Sequence, residues 1–419
     1  MSKNMKNASL LPIGSGEEKT RFLEKPGVRS VAASLVCIAA GILVGFLVML
    51  IIAAGSQGCD PLMGLATLIG GPFSSGSWNY ITTNLGDMIF YAAPLILTGL
   101  SVAIAFKTGL FNIGAPGQFL MGTAGSLTVA LSIDSTGKSG GFWVWLLAIA
   151  VGMICGMLWG AIPGLFKAFF GVNEVIVCIM TNWIAANLVS WFFSTKNAII
   201  NTGKGKSGYL ITTASTGNGT PKLALDKVFK GSYVDAGILI AVICAAAIYV
   251  ILNKTTFGYE LKACGSNRNA AKYAGMNEKR NIVLSMAIAG LLAALGGAIY
   301  YLNPGIEFSY KSAYSNLPDY GFNGIPAALL ASNNPIGVIF SGLFLRYLSQ
   351  GGDNLTSAGY NRYIADIIIA IIIYFSGSAK LIRDFLSEKI KERAGRKKKS
   401  DGNTASANGA DTDNDKKEA

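Results

Sequence analysis

Between Val31 and Tyr374 the chain alternates long apolar runs, almost free of charge, with short polar loops. A helix rises ~1.5 Å per residue and the hydrocarbon core of a bilayer is ~30 Å thick, so about 20 apolar residues make a crossing. Val31–Ala54, Met88–Phe106, Phe142–Phe166, Val175–Thr195 and Asn281–Leu302 qualify, and Ala236–Leu252 is shorter but long enough. Four weaker runs, Phe119–Ile133, Tyr320–Ser332, Pro335–Tyr347 and Tyr363–Ser376, bring the expected spans to ten. The pattern predicts an all-α, polytopic membrane protein. Three parts follow: an N-terminal extension over 1–30, a transmembrane domain over 31–379, and a tail over 380–419 that is basic and then disordered.

Composition supports this. Hydrophobic residues are 51% and charged residues 14%, against roughly 25% charged in a soluble domain. The 51 glycines suit close helix packing in lipid. The absence of histidine removes His-based zinc sites, haem ligation and His general bases. Six scattered cysteines form no C-x-x-C pair, so neither a disulfide framework nor a zinc knuckle is indicated. The +12 net charge is no nucleic-acid footprint, because much of it sits at the two ends and in one loop, as in loops that face a cytoplasm.

Charge also orients the chain. Met1–Ser30 holds six Lys/Arg and three Glu, whereas Gly55–Gly86 holds no Lys or Arg. The tail after Gly377 is strongly basic through Lys399. Both termini are therefore expected in the cytoplasm, and the number of spans is even. Charge does not choose between two loops. Lys196–Asp235 carries six Lys and two Asp, and Asn253–Arg280 carries six Lys/Arg and two Glu. Ten spans place the first outside and the second inside; a re-entrant Phe119–Ile133 would swap them.

Two stretches carry more than hydropathy. In Ala105–Gln118, Gly and Pro break the second span and a short polar loop leads straight into another apolar run. Unwound backbone in lipid is tolerated only where protein buries it or it lines a cavity, and transporters place substrate at such breaks. A surface loop with glycine turns is the plainer alternative. In Phe257–Asn277, Ser266 or Asn267 can cap a short helix and Gly275 can stop it in the left-handed conformation. A helix of this kind between two spans is a docking device or an ordinary interfacial helix.

These residues carry a family resemblance. "GLFNIGAPGQFLMG" (Gly109–Gly122), "GYELKACGSNRNAAKYAGMN" and "GFNGIPAALLASNNPIG" (Gly321–Gly337) resemble signatures of bacterial ABC-importer permeases. The superfamily is that of the ribose and branched-chain amino acid permeases, and the branch is that of nucleosides and simple sugars. Pro116 stands where an acidic residue is usual, and Pro326 where a small residue is more usual. The resemblance spans most of Gly86–Gly377. It implies a type II importer-like permease of about ten helices, a cytoplasmic ABC ATPase, a second related permease and an extracellular substrate-binding lipoprotein. It also implies that Asn253–Arg280 is cytoplasmic and couples to the ATPase, with Gly258, Gly265, Ala270, Ala271 and Gly275 in the docking segment. No cofactor is expected on this chain, since ATP belongs to the partner ATPase, and the chain is a transport subunit rather than an enzyme.

Amides suit a neutral solute, because each offers both a donor and an acceptor. Asn112 and Gln118 at the break and Asn323 in the eighth run are candidate pathway residues. Trp183, Asn187, Ser190 and Trp191 fall on one face of the fifth span and make Trp183 and Asn187 further candidates; helix-to-helix hydrogen bonding and interfacial anchoring are the alternatives. Asp366 is expected to pair with Arg362 at i−4, and Asp87 to start the second span. Gly203–Ser207 imitates a P-loop but lacks the first glycine, since Ile200 stands there. An ATP-driven nucleoside importer leads. A simple-sugar permease is its near alternative, and an ion-coupled secondary transporter using Asp366 stands further off.

Overall fold

A computed structural model describes residues 26–56, 58–74, 76–133, 140–195, 209–210, 218–308 and 317–377. The extension up to residue 25, the tail after 377 and the P-loop-like stretch lie outside the described residues. All ten apolar runs are helical. With three short helices, α2, α8 and α9, between them, the order is α1 (Pro26–Gly55), α2 (Pro61–Gly70), α3 (Trp78–Lys107), α4 (Ala115–Ser132), α5 (Gly141–Phe170), α6 (Glu174–Thr195), α7 (Gly237–Lys254), α8 (Thr256–Ser266), α9 (Arg268–Tyr273), α10 (Glu278–Tyr301), α11 (Asp319–Leu330), α12 (Pro335–Asp353) and α13 (Tyr363–Gly377). A two-residue antiparallel pairing joins β1 (Tyr209–Leu210) to β2 (Glu307–Phe308).

Helix boundaries follow local chemistry. Asp60 accepts from Leu62 N and Met63 N with Pro61 in the first turn, and Asn334 accepts from Ile336 N and Gly337 N ahead of Pro335. Both side chains satisfy amide groups that a helix start leaves open, and proline at the first position loses no bond there. Thr255, Asn267 and Asn277 cap α8, α9 and α10 in the same way.

Among the described residues, those within 44–373 form one compact unit, and 26–43 with 374–377 belong to the other, in which Cys37 Sγ donates to Phe375 O at 3.2 Å. In the larger unit α3 and α10 are the interior helices, buried over 83% and 78% of their most apolar windows, against 33% for α5 and 28% for α7. The α5–α10 seam is made by glycines four residues apart. Gly156 and Gly160 face Ala294 and Gly290 so closely that side chains there would strike the opposing helix, Gly164 packs tightly on Met286, and Gly152 touches Ala298 while lying closer still to Gly122 O of α4. Lipid offers no hydrophobic drive between helices, so close approach through small residues supplies the packing.

Contacts sort the loops onto two faces. At the first face, where α3 begins, Thr83 Oγ1 donates to Lys230 O at 2.8 Å and Asp87 accepts from Tyr233 N at 2.9 Å. At the second face, where α3 stops, Gly265 lies on Lys107–Gly109, and the Thr108 and Ser285 hydroxyls are 2.8 Å apart. The segment 218–236 and α8–α9 therefore lie at opposite faces. Helix α4 ends at the first face, because Asn218 Nδ2 donates to Ala130 O and Ile133 O, while Thr220 N donates to Leu302 O. The run Phe119–Ile133 thus leads from inside the layer to the first face and is not a re-entrant excursion, so the swap of the two loops that re-entrance would bring does not arise.

The runs Tyr320–Ser332 and Pro335–Tyr347 are not two separate crossings. Helices α11 and α12 meet at a 119° bend. Along α12, Val338, Gly342 and Arg346 lie beside Gly99, Ile96 and Tyr91, so α12 climbs back toward the start of α3. Phe308 before the pair packs on Tyr301, and Asp353 after it shares a pocket with Asp87 and Tyr300; both ends are at the first face. The pair is a re-entrant hairpin. Its turn uses Ser332 and Asn333 in the left-handed region, at φ 50 and φ 56. Helix α13 runs antiparallel to the second half of α1, with Gly45 against Ile368 and Tyr360 Oη bonded to Met49 O. Six helices are long and apolar enough to cross alone. Helix α13 adds a shorter apolar helix.

Candidate functional site

Three places concentrate polar groups within or at the edges of the layer. The first is the break between α3 and α4. Gly109 adopts φ 71, and Leu110 N returns to Ala105 O. The chain then climbs, unwound, into the protein. Asn112 Nδ2 donates to Ser101 Oγ at 2.9 Å and to Gln118 Oε1 at 2.8 Å, while Asn112 Oδ1 accepts from Gly114 N and Gln118 Nε2, both at 3.1 Å. From α6, Asn182 accepts from Gly117 N and donates to Ile113 O, each at 2.9 Å. Ser101 lies six residues before the end of α3, so the amide cluster is about 9 Å inside that end. Buried backbone without partners would cost several kcal/mol per group; these amides supply the partners. Asn112 and Gln118 come together as expected, but they are 0% and 1% exposed and spend their hydrogen bonds on this chain. Asn182, which sequence reasoning did not single out, does equal work from α6.

The second place is the seam at the second face. Asn267 caps α9 by accepting from Ala270 N, and Gly275 follows it at φ 83. The expected short helix is a pair, with α8 ahead of α9. Gly258 and Gly265 do allow close approach, but to this chain itself: Gly258 lies on the last turn of α7, and Gly265 on Lys107–Gly109. Ala271 is 4% exposed and packs inward, so it is not available to a partner. Ala270 and Lys272 are exposed, with Tyr259 at 66% and Tyr273 at 93%. Arg268 Nη2 donates to Gly109 O at 3.3 Å, tying α9 to the start of the break.

The third place is a pocket of about 580 Å³ at the first face, between α3, α10, α11 and α12. Tyr91, Tyr300 and Tyr320 form its aromatic side; the Tyr300 and Tyr320 ring centres are 4.8 Å apart. The Arg346 guanidinium sits 4.6 Å from the Tyr91 ring centre and donates to Ser349 Oγ and Gln350 Oε1. Asp353 lies between Arg346 at 3.6 Å and Arg362 at 3.5 Å. Arg362 therefore pairs with Asp353 and not with Asp366, which is exposed. Asp87 is nine residues inside α3, because that helix starts at Trp78; it lines this pocket and caps nothing. Sequence reasoning missed the site. Its signal was Arg346, the one charge in the run Pro335–Tyr347, since ionisable residues within membrane segments mark function by default.

The remaining candidates lie apart from these places. Trp183 and Asn187 are exposed on α6 and line a shallow groove with Ile184 and Trp191; Asn187 Nδ2 donates to Trp183 O at 2.8 Å. Ser190 turns inward and is buried. Asn323 is exposed on α11. Among the described residues no group of three metal-ligating side chains occurs.

Residues 84–377 match the family described as "Branched-chain amino acid transport system / permease component". The chain belongs to this permease family. It is 36% identical over 361 residues to the guanosine ABC transporter permease protein NupP of Bacillus subtilis, covering 86% of this chain and 96% of that protein. It is 34% identical over 371 residues to the nucleoside ABC transporter permease protein NupB of Lactococcus lactis, covering 87% and 94%. The glucose ABC transporter permease protein TsgB13 of Haloferax volcanii is 31% identical over 70% of this chain and 75% of its own. The same two bacteria each have a second similar permease, NupQ and NupC, 26% identical to this chain. Relatives of this permease thus occur as pairs. No solved structure is significantly similar. The chain is a multi-pass permease subunit and not an enzyme.

Proposed function

We propose that this permease forms one half of the membrane pathway of an ATP-driven nucleoside importer. The observation that carries the reading is the near full-length similarity to guanosine and nucleoside permeases, with a glucose permease covering less of the chain. The pairing of NupP with NupQ and of NupB with NupC supports a second, related permease as partner. A separate ABC ATPase and an extracellular binding lipoprotein complete the assembly. No cofactor acts on this chain; the ATP is held by the ATPase.

The second face is cytoplasmic in this reading, since the chain's two basic ends belong with it. The ATPase docks on the exposed side of α8–α9, at Ala270, Tyr259 and Tyr273. Gly258, Gly265, Ala271 and Gly275 serve from behind, by fitting those helices to the permease. Movement there reaches Gly109 directly, and through it the break that Asn112, Gln118 and Asn182 hold in place. Asn112 and Gln118 thus shape the pathway by fixing the break. Trp183, Asn187 and Asn323 are free to meet solute or the second permease.

The test is uptake into proteoliposomes holding both permeases, the ATPase and the binding protein. ATP-dependent uptake of labelled guanosine, adenosine or uridine is expected, with little ribose uptake. Transport of ribose alone would assign the chain to the sugar permeases, and uptake driven by an ion gradient without ATP would sink the reading. Orientation is read separately: a cysteine at Lys227, exposed at the first face, should react with an impermeant maleimide in intact cells. Reaction only after permeabilisation would invert the assignment of faces.

A further inference from the structure

The geometry points to a solute-holding site inside this subunit: the first-face pocket of Tyr91, Tyr300, Tyr320, Arg346 and Gln350 binds a neutral, planar, hydroxyl-bearing solute of the nucleoside class. The ligand class rests on the function proposed above; the site rests on the pocket itself.

Four observations carry it. The volume of about 580 Å³ falls within the range that small-molecule sites occupy. Protein interiors pack to crystal density, so a cluster serving only to join helices would close on itself, and this one does not. The aromatic side is already organised. Tyr300 lies 4.8 Å from Tyr320 and 6.2 Å from Tyr91, and Arg346 fixes Tyr91 from its other side. Rings held in this way are stacking platforms for a base, which every nucleobase can use.

Charge then selects the ligand. Asp87 and Asp353 face Arg346 and Arg362, so the formal charges cancel. A site for an ion of either sign would leave one sign in excess. Carboxylates accept from hydroxyls, as they do from a ribose, while Gln350, whose Oε1 accepts from Arg346, offers its amide N–H groups as donors. Arg346 Nε is buried without a hydrogen-bond partner among the described residues. Thr356 and Arg362, both exposed, stand at the rim and leave the pocket open at the first face. Solute delivered to that face would be held beside the re-entrant hairpin before the pathway opens.

The test uses the complex of this chain with the second permease and the ATPase in nanodiscs, without binding protein or nucleotide. Tritiated guanosine is expected to bind saturably, with uridine competing and ribose not. Tyr320→Leu and Gln350→Leu should each weaken binding at least about tenfold, the effect of one lost stacking or hydrogen-bonding contact. A second measurement does not depend on those variants folding. Guanosine should slow maleimide labelling of a cysteine at Thr356 about fivefold or more over the background of the native cysteines, as expected for a rim residue covered by bound ligand. No saturable binding and no protection, with nucleoside uptake intact in the full system, would overturn the site alone. Absence of nucleoside uptake in the full system would overturn the proposed function and this ligand with it.

Discussion

Replacing Gly265 with alanine should uncouple the permease from its ATPase without preventing insertion. A Cβ at this position would lie 3.0 Å from Gly109 N, 3.0 Å from the Lys107 carbonyl carbon, and closer still to Lys107 O. Comfortable contact between such atoms begins near ~3.5 Å. All three obstacles are backbone, so no rotamer change relieves them, and α8 must withdraw by about 0.5–1 Å. Overpacking of this kind costs roughly 1–3 kcal/mol, which is about 5- to 150-fold in a coupling equilibrium. The same withdrawal stretches the 3.3 Å bond from Arg268 to Gly109 O beyond useful length. The assay is solute imported per ATP hydrolysed in proteoliposomes, normalised to inserted protein. That ratio should fall at least about fivefold, while ATP hydrolysis continues. Arg268→Gln removes the tie without the clash and should lower the ratio by a smaller factor. Gly140→Ala, with open space around it and far from the docking segment in sequence, sets the level for an unrelated change. Wild-type coupling in Gly265→Ala at normal abundance would refute the seam as the route from ATPase to break.

Gly160→Ala should lower the melting temperature in detergent by several degrees, because a Cβ there would lie 2.6 Å from Met286 O and 2.7 Å from Gly290 Cα; Gly140→Ala, with open space around it, should not, and equal melting of the two would argue against a close α5–α10 seam. Burial pushes the Asp235 carboxyl from 3.8 to about 6, against the opposing hydrogen bonds from Asn303 and Gly237. A folded-state value raised above the unfolded one means stability falls as pH rises from about 4 to about 6 and is then flat, a change on the order of 3 kcal/mol; a melting curve without that slope in the wild type, or with it intact in Asp235→Asn, would contradict the assignment. Asn112→Ala should reduce melting temperature and membrane abundance, whereas Asn323→Ala should leave both unchanged and alter uptake kinetics per inserted molecule. The reverse pattern would show that the exposed asparagine is the structural one.

Much of the architecture was legible in the chain because lipid imposes so narrow a choice. Every apolar run became a helix, and Asn267 and Gly275 bound α9 as their side-chain and backbone preferences require. Direction was not legible. Hydropathy measures whether a segment tolerates lipid, and α11 and α12 tolerate it equally well as crossings or as a hairpin. Removing two crossings together leaves the parity unchanged, so the charged ends gave no warning. The start of α3 was misplaced because its first turns carry Asn79, Thr82, Thr83 and Asp87. The partners of Thr83 and Asp87, at Lys230 and Tyr233, come from a loop about 150 residues away in sequence, which no local pattern reports. The tyrosine pocket was missed for the same reason, since four separate helices each contribute only one or a few of its groups.

The two Phe-Asn motifs show how the fold divides one kind of residue between two tasks. Phe111-Asn112 precedes Pro116 and Phe322-Asn323 precedes Pro326, and the two stretches touch where Gly321 packs on Pro116. At the first, the backbone is unwound, and Asn112 and Gln118 bond each other twice, with Ser101 and Gly114 as further partners of Asn112. At the second, α11 is helical through the motif, and the missing N–H of Pro326 leaves only the Phe322 carbonyl without its usual helical donor. A polar side chain left exposed beside apolar surface costs free energy unless something else meets it. Asn323 is exposed on the hairpin that packs against the break, so its loss is expected to be read in uptake kinetics and not in stability. Movement delivered through Gly109 and solute arriving from the first face would thus converge on the same pair of motifs.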